Sequence, residues 1–290
     1  MLLVWGPLTS LSLAGQEHGR TVLFRNILAL PQAIDRRHIF ISFGRVTKMS
    51  AAFNFSGYAV LVTGGSNGIG LAIARAFQQE RADVSITGTR VDISSYKEDL
   101  SDFLYRQVLL EDSKAVDSFI AETERVDVLV NNAGTAVRGP EALTPEGFER
   151  NIVINLNSAF RLCQGLHSKL KSRPGSIINI ASMSAYYGWP RVPGYGASKA
   201  AIIHMTKTLA VLYANDGIRV NAIAPGWIET NLTAPIRSSE MFRPIIERTP
   251  MGRWGKPEEI AGTALYLSSD DLASFVTGVT IPVDGGLSLT

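Results

Sequence analysis

A tyrosine and a lysine stand four residues apart, at Tyr195 and Lys199. On a helix, residues with this spacing share one face, so the lysine ammonium would lie next to the phenol ring. A free tyrosine ionises near pH ~10, and a neighbouring cation lowers this pKa because it stabilises the phenolate. The pair therefore predicts a general acid/base that works near neutral pH. Tyr186 and Tyr187 are also phenols, but neither is followed by a lysine at this spacing.

The chain around this pair alternates short apolar runs with helical patterns. The runs are rich in β-branched residues, which is typical of strands buried on both faces of a parallel sheet. Helices are expected in the intervals, beginning for example after Thr144 and Lys256, each followed by proline and an acid. This alternation predicts a doubly wound α/β sandwich. The candidate strands are 58–63, 84–88, 106–109, 126–131, 175–181, 219–224 and 278–282.

A glycine-rich turn follows the first of these strands. Gly64, Gly68 and Gly70 would permit a tight turn, close approach of a pyrophosphate and close packing of the next helix. The amino end of that helix would offer unpaired N–H groups and a positive dipole to the phosphates. Glycines also punctuate ordinary loops. Here the strand before and the helix after the turn favour a dinucleotide site.

The end of the second strand carries no acid. NAD sites commonly place a carboxylate there to accept bonds from a ribose hydroxyl, whereas Thr89 and Arg90 offer a hydroxyl and a guanidinium that suit a 2′-phosphate. Arg90 could also be a solvated loop residue. We expect NADP(H), with NAD(H) as the alternative. After the fourth strand, Asn131-Asn-Ala-Gly134 has room for a flat ligand, but taken alone it favours a plain turn.

Composition excludes several classes of protein. The 290 residues carry a net charge of +2. Residues 1–48 hold six Lys or Arg and two acids, so they carry +4 and the remainder about −2. The remainder therefore lacks the positive charge that is typical of nucleic-acid-binding proteins. The single cysteine, Cys163, excludes an internal disulfide, fits a reducing compartment and is expected to be buried. The four histidines lack companions at metal-ligand spacing, so no metal site is expected.

Residues 1–48 show no catalytic pattern and no membrane-spanning run. We expect an inert, poorly ordered extension that precedes a single domain over 49–290. Two alternatives stay open. The arginines could form a mitochondrial transit peptide, although Glu17 and Asp35 weaken that case, or Met49 could be the natural start.

The motifs of residues 54–290, in their order, resemble those of the short-chain dehydrogenase/reductase family. Each motif is common alone, but the series, with Ser182 thirteen residues before Tyr195, is specific. The resemblance implies one Rossmann-type domain in a homotetramer, close to the 3-oxoacyl-carrier-protein reductase and sugar or polyol dehydrogenase branches. The matching elements are Thr63-Gly-x3-Gly-Ile-Gly70, Asn131-Asn-Ala-Gly134, Asn155, Ser182, Tyr195-x3-Lys199, Pro225-Gly226 with Ile228 and Thr230, and Pro282-Val-Asp-Gly-Gly286.

The resemblance also implies roles for the catalytic residues. Tyr195 would donate a proton to a carbonyl oxygen that Ser182 holds by hydrogen bond. Lys199 would hold the nicotinamide ribose and keep the pKa of Tyr195 low. Asn155 would position a water that links Lys199 to solvent. Simpler roles stay open. Ser182 could merely cap its strand, and the nearby Ser184 could take the role implied for Ser182. Asn155 is unfavourable within a helix, and the resemblance implies a kink there.

Two further sets of residues are predicted, one that lines the substrate pocket and one that contacts the dinucleotide. The substrate pocket is expected to be apolar and aromatic, which favours a small hydrophobic carbonyl or a polyol over a highly anionic substrate. Its predicted lining is Ser182, Met183, Tyr187, Trp189, Tyr195, Trp227 and the stretch 233–246 with Met241 and Phe242. The predicted dinucleotide contacts are Gly64, Ser66, Asn67, Gly68, Ile69, Gly70, Thr89, Arg90, Asp112, Asn132, Ala133, Gly134, Tyr195, Lys199, Pro225, Gly226, Ile228 and Thr230.

Two positions depart from the family pattern. Leu109 stands where the family often has Asp or Asn near the adenine, with Asp112 three residues later. Asp216 stands where the carrier-protein reductases usually have a basic residue before the sixth strand, which argues against an acidic carrier as partner.

We therefore expect an NADP(H)-dependent oxidoreductase acting on a ketone, aldehyde, sugar or polyol, located in the cytoplasm unless residues 1–48 target mitochondria. The alternatives are a non-catalytic nucleotide sensor, which would be expected to lose the tyrosine or lysine, and an epimerase or dehydratase with a tightly held cofactor.

Overall fold

The computed structural model describes residues 53–290 and two strands of the N-terminal segment, β1 (Leu13–Glu17) and β2 (Arg20–Phe24). These two strands pair antiparallel, with Leu13 opposite Phe24, and the sequence patterns did not predict them. The remaining interpretations of residues 1–48 lie outside the described residues.

Residues 53–290 form a seven-stranded sheet in the order β5-β4-β3-β6-β7-β8-β9. Every neighbouring pair is parallel, so the predicted doubly wound α/β architecture with one Rossmann-type sheet is confirmed. The strands are β3 (Ala59–Val62), β4 (Asp83–Gly88), β5 (Leu104–Gln107), β6 (Val128–Asn131), β7 (Ser176–Ile180), β8 (Arg219–Pro225) and β9 (Thr280–Val283).

The inner strands are buried along their length, as their apolar runs predict. β6, β7 and β8 have no exposed residue. The edge strands differ: β5 exposes most of its residues, with Leu104 63% accessible, and β9 is only partly buried. The expectation of burial on both faces is therefore wrong for β5 and β9, because an edge strand has a neighbour on one side only. β5 also begins two residues before its predicted bounds.

Helices cover both faces of the sheet. One layer contains α1 and α9 over a core with Ile73 and Phe77, and the other contains α2, α4 and α6 over a core with Leu129 and Leu162. None of the helices described over 53–290 is long and apolar enough to cross a bilayer. The helices are α1 (Gly68–Gln79), α2 (Ser113–Glu122), α3 (Pro145–Ile152), α4 (Ser158–Gly165), α5 (His167–Leu170), α6 (Pro193–Tyr213), α7 (Ala234–Arg237), α8 (Phe242–Arg248), α9 (Pro257–Ser268) and α10 (Asp270–Ala273).

The predicted helix starts are confirmed. The Thr144 hydroxyl caps α3 by accepting from the Gly147 amide at 3.1 Å. At α9, a Glu259 carboxylate oxygen accepts from the Lys256 amide at 2.8 Å. Asp216, before β8, contacts His167 and Lys171 at 2.9 and 3.0 Å.

One crossover departs from the expectation that helices fill every interval. Between β4 and β5 the chain forms only a single 3-10 turn, Ile93–Ser95. Asp92 caps this turn through the Ser94 amide at 2.9 Å, and buried Leu100 and Phe103 anchor the end of the segment in the core. Because no helix occupies this crossover, its residues are available to line the edge of the sheet.

Candidate active site

The carboxyl ends of the central strands open into one cleft with a volume of about 750 Å³. The cleft lies where the strand order reverses, between β3 and β6, which is the usual ligand position in an open parallel sheet. Every predicted dinucleotide contact except Asp112 lines it.

The glycine turn needs glycine at each of its three predicted positions. Gly64 has a φ of +63° and a Cβ there would lie 2.9 Å from the Cα of Ala133. A Cβ on Gly70 would lie 2.4 Å from the carbonyl oxygen of Gly64. Gly68 has a φ of +55° and faces Thr230, which would be 3.2 Å from a Cβ. The turn therefore approaches both neighbouring loops too closely for side chains.

The amino end of α1 begins at this turn. Asn67 precedes the helix without capping it through its side chain, and the first turn contains no acid. The N–H groups at the amino end of α1 and the positive end of its dipole therefore face the cleft. No carboxylate from the first turn of α1 competes there, so this helix end suits a pyrophosphate.

Asparagines after β6 hold the neighbouring strands together. The Asn132 amide nitrogen Nδ2 donates to the carbonyl oxygens of Thr63 and Gly64 at 2.9 and 3.1 Å. Buried Asn131 donates from Nδ2 to Asn179 on β7 at 2.9 Å and contacts the Sγ of Cys163 at 3.2 Å. Cys163 itself is buried, and burial raises the pKa of its thiol to about 12. The Asn-Asn-Ala-Gly segment is thus more than a plain turn.

Tyr195 and Lys199 share one face at the start of α6, as their spacing predicts. The Lys199 Nζ lies 5.7 Å from the centre of the Tyr195 ring and donates to the carbonyl oxygen of Ile180 at 2.7 Å. Ser182 lies near enough to Tyr195 to lower the pKa of its phenol, and both residues line the cleft. Ser184 instead donates to the Ser182 hydroxyl oxygen, from its amide at 3.2 Å and its hydroxyl at 3.0 Å. The structure therefore brings Tyr195, Lys199 and Ser182 together, with Ser184 supporting Ser182.

The pKa values differ from the sequence-based expectation. Burial raises the pKa of Tyr195, and the opposing effects of the Ser182 side chain and the Arg138 charge do not cancel it. Burial also lowers the pKa of Lys199 to about 8. Lys199 is not among the groups that lower the pKa of Tyr195 in this structure, so its role in holding that pKa low stays a prediction. At neutral pH the phenol is therefore protonated, the form that donates.

Asn155 lies in a π-helical turn, Val153–Asn157, between α3 and α4. This is the local kink that the resemblance implies, and such turns are frequent at functional sites. The side chain accepts from the Thr135 amide at 2.8 Å and donates to the Thr135 carbonyl and the Ser198 hydroxyl, both at 2.9 Å. A Cβ on Gly134 would lie 3.1 Å from Asn155 Oδ1 and 3.5 Å from Lys199 Nζ. Gly134 thus separates the amide from the ammonium.

The end of β4 forms a second cluster. The Tyr96 hydroxyl accepts from the Thr89 and Arg90 amides, both at 3.1 Å, and lies 3.2 Å from the Tyr105 hydroxyl. The Arg90 guanidinium lies over the Tyr96 ring, 4.9 Å from its centre, and donates to the Ser95 carbonyl. Burial raises the pKa of Tyr96, but the hydrogen bonds from Tyr105 and the neighbouring groups outweigh it, so this pKa is lowered.

Asp112 has a different place from the one predicted. Its carboxylate caps α2 by accepting from the Lys114 and Ala115 amides at 2.9 and 3.3 Å. The cleft is lined there by Leu109, Leu110 and Glu111. The prediction of Asp112 as an adenine contact is therefore corrected, since Asp112 does not line the cleft and its Oδ1 caps the helix terminus.

A smaller cavity adjoins the cleft at Tyr195 and Ser182. Met183, Tyr187, Trp189 and Trp227 line it, as predicted, and the two indole rings lie 5.6 Å apart.

Of the stretch 233–246, only Thr233 reaches this smaller cavity. The prediction that Met241 and Phe242 line the substrate pocket is corrected. Met241 packs in a cluster with Trp254, and the Phe242 ring lies 5.9 Å from the Trp254 ring. The apolar spacing of α8 supports this local packing instead of a ligand.

Tyr96 and Arg138 are among the polar residues of the site that sequence reasoning missed. Tyr96 reaches the cleft only because its crossover lacks a helix, for which the sequence gives no clear signal. Arg138 lines the smaller cavity. Its signal was available, since it lies in the loop after β6 at the carboxyl edge of the sheet, where ligands bind.

Comparisons with known proteins agree with the fold and the motifs. A family model described as enoyl-(acyl carrier protein) reductase matches residues 64–288. A 2-dehydro-3-deoxy-D-gluconate 5-dehydrogenase of Bacillus subtilis (strain 168) is 40% identical over 246 residues, covering 81% of this chain and 96% of the relative. A 3-oxoacyl-(acyl-carrier-protein) reductase of Chlamydia trachomatis serovar D is 38% identical over 240 residues, covering 79% and 96%.

A solved structure is similar over the same region. It is a gluconate 5-dehydrogenase of Burkholderia cenocepacia J2315 in complex with NADP and tartrate, with a TM-score of 0.74 and 30% identity, covering 82% of this chain and 98% of that one. The matched region contains the glycine turn, the Asn-Asn-Ala-Gly segment and the serine, tyrosine and lysine that meet in the cleft. On this sequence and structural similarity, the chain belongs to the short-chain dehydrogenase/reductase family of oxidoreductases.

Proposed function

We propose that this protein is an NADP(H)-dependent oxidoreductase that interconverts a carbonyl compound, such as a ketone, aldehyde or sugar, with the matching alcohol. The observation that carries the proposal is the meeting of Tyr195, Ser182 and Lys199 beside the glycine turn, in one cleft. A proton donor and a dinucleotide cradle in one cleft are the two requirements of carbonyl reduction by hydride transfer.

The residues of the cleft fit a dinucleotide phosphate. A Cβ would fill the cradle at Gly64, Gly68 and Gly70, and the open amino end of α1 would receive the pyrophosphate. Arg90 and Thr89 at the end of β4 would receive a 2′-phosphate. Glu98 and Glu111 are the acids that line the cleft, and each forms a salt bridge of 3.4 Å with an arginine. The NADP held by the Burkholderia relative supports this assignment.

The chain's own residues divide the proton chemistry among them. When bound, NADPH supplies the hydride. Tyr195 donates its phenolic proton to the substrate oxygen, and Ser182 holds that oxygen by a hydrogen bond that strengthens as negative charge develops. Lys199, with a pKa of about 8, exchanges protons readily near neutral pH. Asn155 orders the path beside Gly134 by which Lys199 reaches solvent.

Replacement of Tyr195 tests this function. Purified protein is mixed with NADPH and a panel of ketones, aldehydes and sugars, and turnover is followed by loss of the nicotinamide absorbance. Tyr195→Phe should abolish turnover while NADPH binding is retained, because only the proton donor is removed. Tyr186→Phe is the matched control, since Tyr186 is exposed and lines neither cavity.

Other outcomes separate the alternatives. Retained turnover in Tyr195→Phe would overturn the acid/base role. Tight NADPH binding without turnover of any carbonyl by the unaltered protein would favour a nucleotide sensor. Cofactor that stays bound through purification, with isomerisation or dehydration of substrate, would favour the epimerase or dehydratase type.

We also propose assembly as a homotetramer. α4 exposes Phe160 and α6 exposes Val211 and Leu212, which are apolar side chains suited to burial between subunits. Multi-angle light scattering of the purified protein tests this, and a monomeric mass would contradict it.

A further inference from the structure

The smaller cavity contains one charged side chain. Fourteen residues line it, and Arg138 is the only one that carries a charge. No carboxylate lies within salt-bridge distance of Arg138 anywhere in residues 53–290. The guanidinium thus faces the space beside Tyr195 without a counter-charge from the described protein.

Arg138 is held in place by its backbone and by one hydrogen bond. The preceding residue, Val137, is buried, and its amide donates to Asn151 Oδ1 at 3.3 Å. Nη2 of Arg138 donates to the carbonyl oxygen of Leu232 at 2.9 Å. A guanidinium has five N–H groups in a fixed plane, so most of its donors remain available to a ligand. Its charge reaches the reacting group, because it acts on the pKa of Tyr195.

The remaining charges near the cavity do not compensate Arg138. Arg248 adds a second guanidinium, 5.8 Å from the centre of the Tyr187 ring. Asp284 is the one carboxylate whose charge acts on Tyr187. Its oxygens accept from the Gly286 amide at 3.0 Å and the Ser288 amide at 2.7 Å, so they stabilise a turn of the chain. Two guanidinium groups against this single carboxylate leave the surroundings of the cavity electropositive.

A neutral substrate in this cavity would cover a guanidinium without pairing it, which costs free energy. A carboxylate would pair with it through charge-assisted, planar hydrogen bonds. We propose that the substrate is an oxo- or hydroxycarboxylate whose carboxylate binds Arg138 while its reacting oxygen lies at Tyr195 and Ser182. This inference rests on the proposed function and names the substrate class of the same site, in place of the neutral substrate that the apolar lining favours.

A simpler role for Arg138 would be to hold the loop that contains Leu232, through their hydrogen bond. The two roles differ in what they predict for matched ligands. A structural tie affects every substrate alike, whereas a carboxylate contact affects only anions. The experiment therefore compares aldonates of three to six carbons with the alditols of the same length, which differ only in carrying a terminal CH2OH in place of the carboxylate.

Binding and turnover are both measured. Trp189 and Trp227 line the cavity, so their fluorescence reports binding of each ligand to the protein with NADP+ present. Oxidation is followed by NADPH formation. We expect at least one aldonate to bind and react about tenfold better than its alditol, the scale of one hydrogen bond to a charged group.

Variants of Arg138 decide between the roles. Arg138→Gln should weaken aldonate binding and lower aldonate kcat/KM about 10- to 100-fold, with alditol values within about threefold of the unaltered protein. Arg138→Lys should restore part of the loss, because the charge returns. Arg106→Gln is the control: it removes an arginine charge from β5, where Arg106 pairs with Glu122 in an exposed contact of little energetic weight.

Three results would overturn the proposal: equal losses for aldonates and alditols in Arg138→Gln, tighter binding of alditols by the unaltered protein, or no carboxylate-dependent fluorescence change across the series. Failure of the proposed function is a different result. In that case aldonates bind through Arg138, yet no carbonyl or alcohol is turned over and Tyr195→Phe changes nothing.

Discussion

Replacing Tyr96 by phenylalanine is expected to weaken NADPH binding while leaving NADH binding nearly unchanged. The hydroxyl of Tyr96 accepts from the Thr89 and Arg90 amides and so fixes the backbone at the end of β4. Its ring lies beneath the Arg90 guanidinium. Phenylalanine keeps the ring and removes only the hydroxyl, so the variant removes the two backbone hydrogen bonds together with the contact to the Tyr105 hydroxyl.

The size of the effect follows from those bonds. Each contributes about 0.5–1.5 kcal/mol net. Tyr96 is half-buried at an open edge of the sheet, where water replaces part of the lost contact. We therefore expect the free energy that holds Arg90 in place to fall by about 1–2 kcal/mol. This corresponds to a roughly 5- to 30-fold weaker binding of the cofactor that needs Arg90.

The assay is a double-mutant cycle with Arg90→Ala, with NADPH and NADH dissociation constants measured by quenching of protein fluorescence. If Tyr96 acts through Arg90, Arg90→Ala and the double variant should bind NADPH equally weakly. Tyr186→Phe serves as the matched loss of an exposed hydroxyl. Additive losses in the double variant, or an equal loss for NADH and NADPH, would refute the assignment.

Four more predictions concern the catalytic centre and the cradle. Asn155→Ala removes three hydrogen bonds, so kcat and Tm should both fall, and unchanged steady-state kinetics would contradict the proton path. Because the pKa of Tyr195 is raised, kcat/KM for alcohol oxidation should rise with pH from neutrality to about pH 9. The kcat/KM for carbonyl reduction, which needs the neutral phenol, should not rise over this range. A flat pH profile for oxidation would contradict this prediction. Gly70→Ala places a Cβ 2.4 Å from a carbonyl oxygen of the turn and should abolish NADPH binding in calorimetry, whereas Gly262→Ala, with open space around it, should bind normally. Lys199→Met should lose turnover without lowering Tm, because the burial that lowers the pKa of Lys199 to about 8 makes its buried charge destabilising; a large fall in Tm on thermal melting would show that the ammonium supports the fold.

The positions of the sheet strands and their parallel arrangement could be predicted because burial imposes a simple sequence pattern. Inner strands such as β7 are packed on both faces, so most of their residues are apolar, and the buried Asn179 of β7 is hydrogen-bonded. The pattern fails at β5, where an edge strand mixes exposed and partly buried residues and its bounds shift. It also fails at the crossover after β4, because a loop held by tertiary contacts has no period of its own.

The centre of the candidate site was predictable for a related reason. Tyr195 and Lys199 need only helical spacing to meet, and the glycines of the turn are required by local backbone conformation and close approach. The pKa of Tyr195 was not predictable in this way. Spacing shows which charge is near, but the extent of burial decides the direction in which each pKa moves.

The sequence patterns predicted Arg90 at one end of the site but missed Arg138 at the other, and they predicted the backbone contacts of neither. Each guanidinium donates to a backbone carbonyl of another segment, at Ser95 and Leu232, and such contacts leave no spacing in the sequence. Arg90 lines only the large cleft and Arg138 only the smaller cavity, with Tyr195 lining both.

Cations at the two ends and a neutral phenol between them suit two anionic ligands whose reacting atoms meet at Tyr195. The proposed roles therefore separate in kinetic measurements. Loss of Arg90 should act on the cofactor, loss of Arg138 on the carboxylate of the substrate, and loss of the Tyr195 hydroxyl on the chemical step alone.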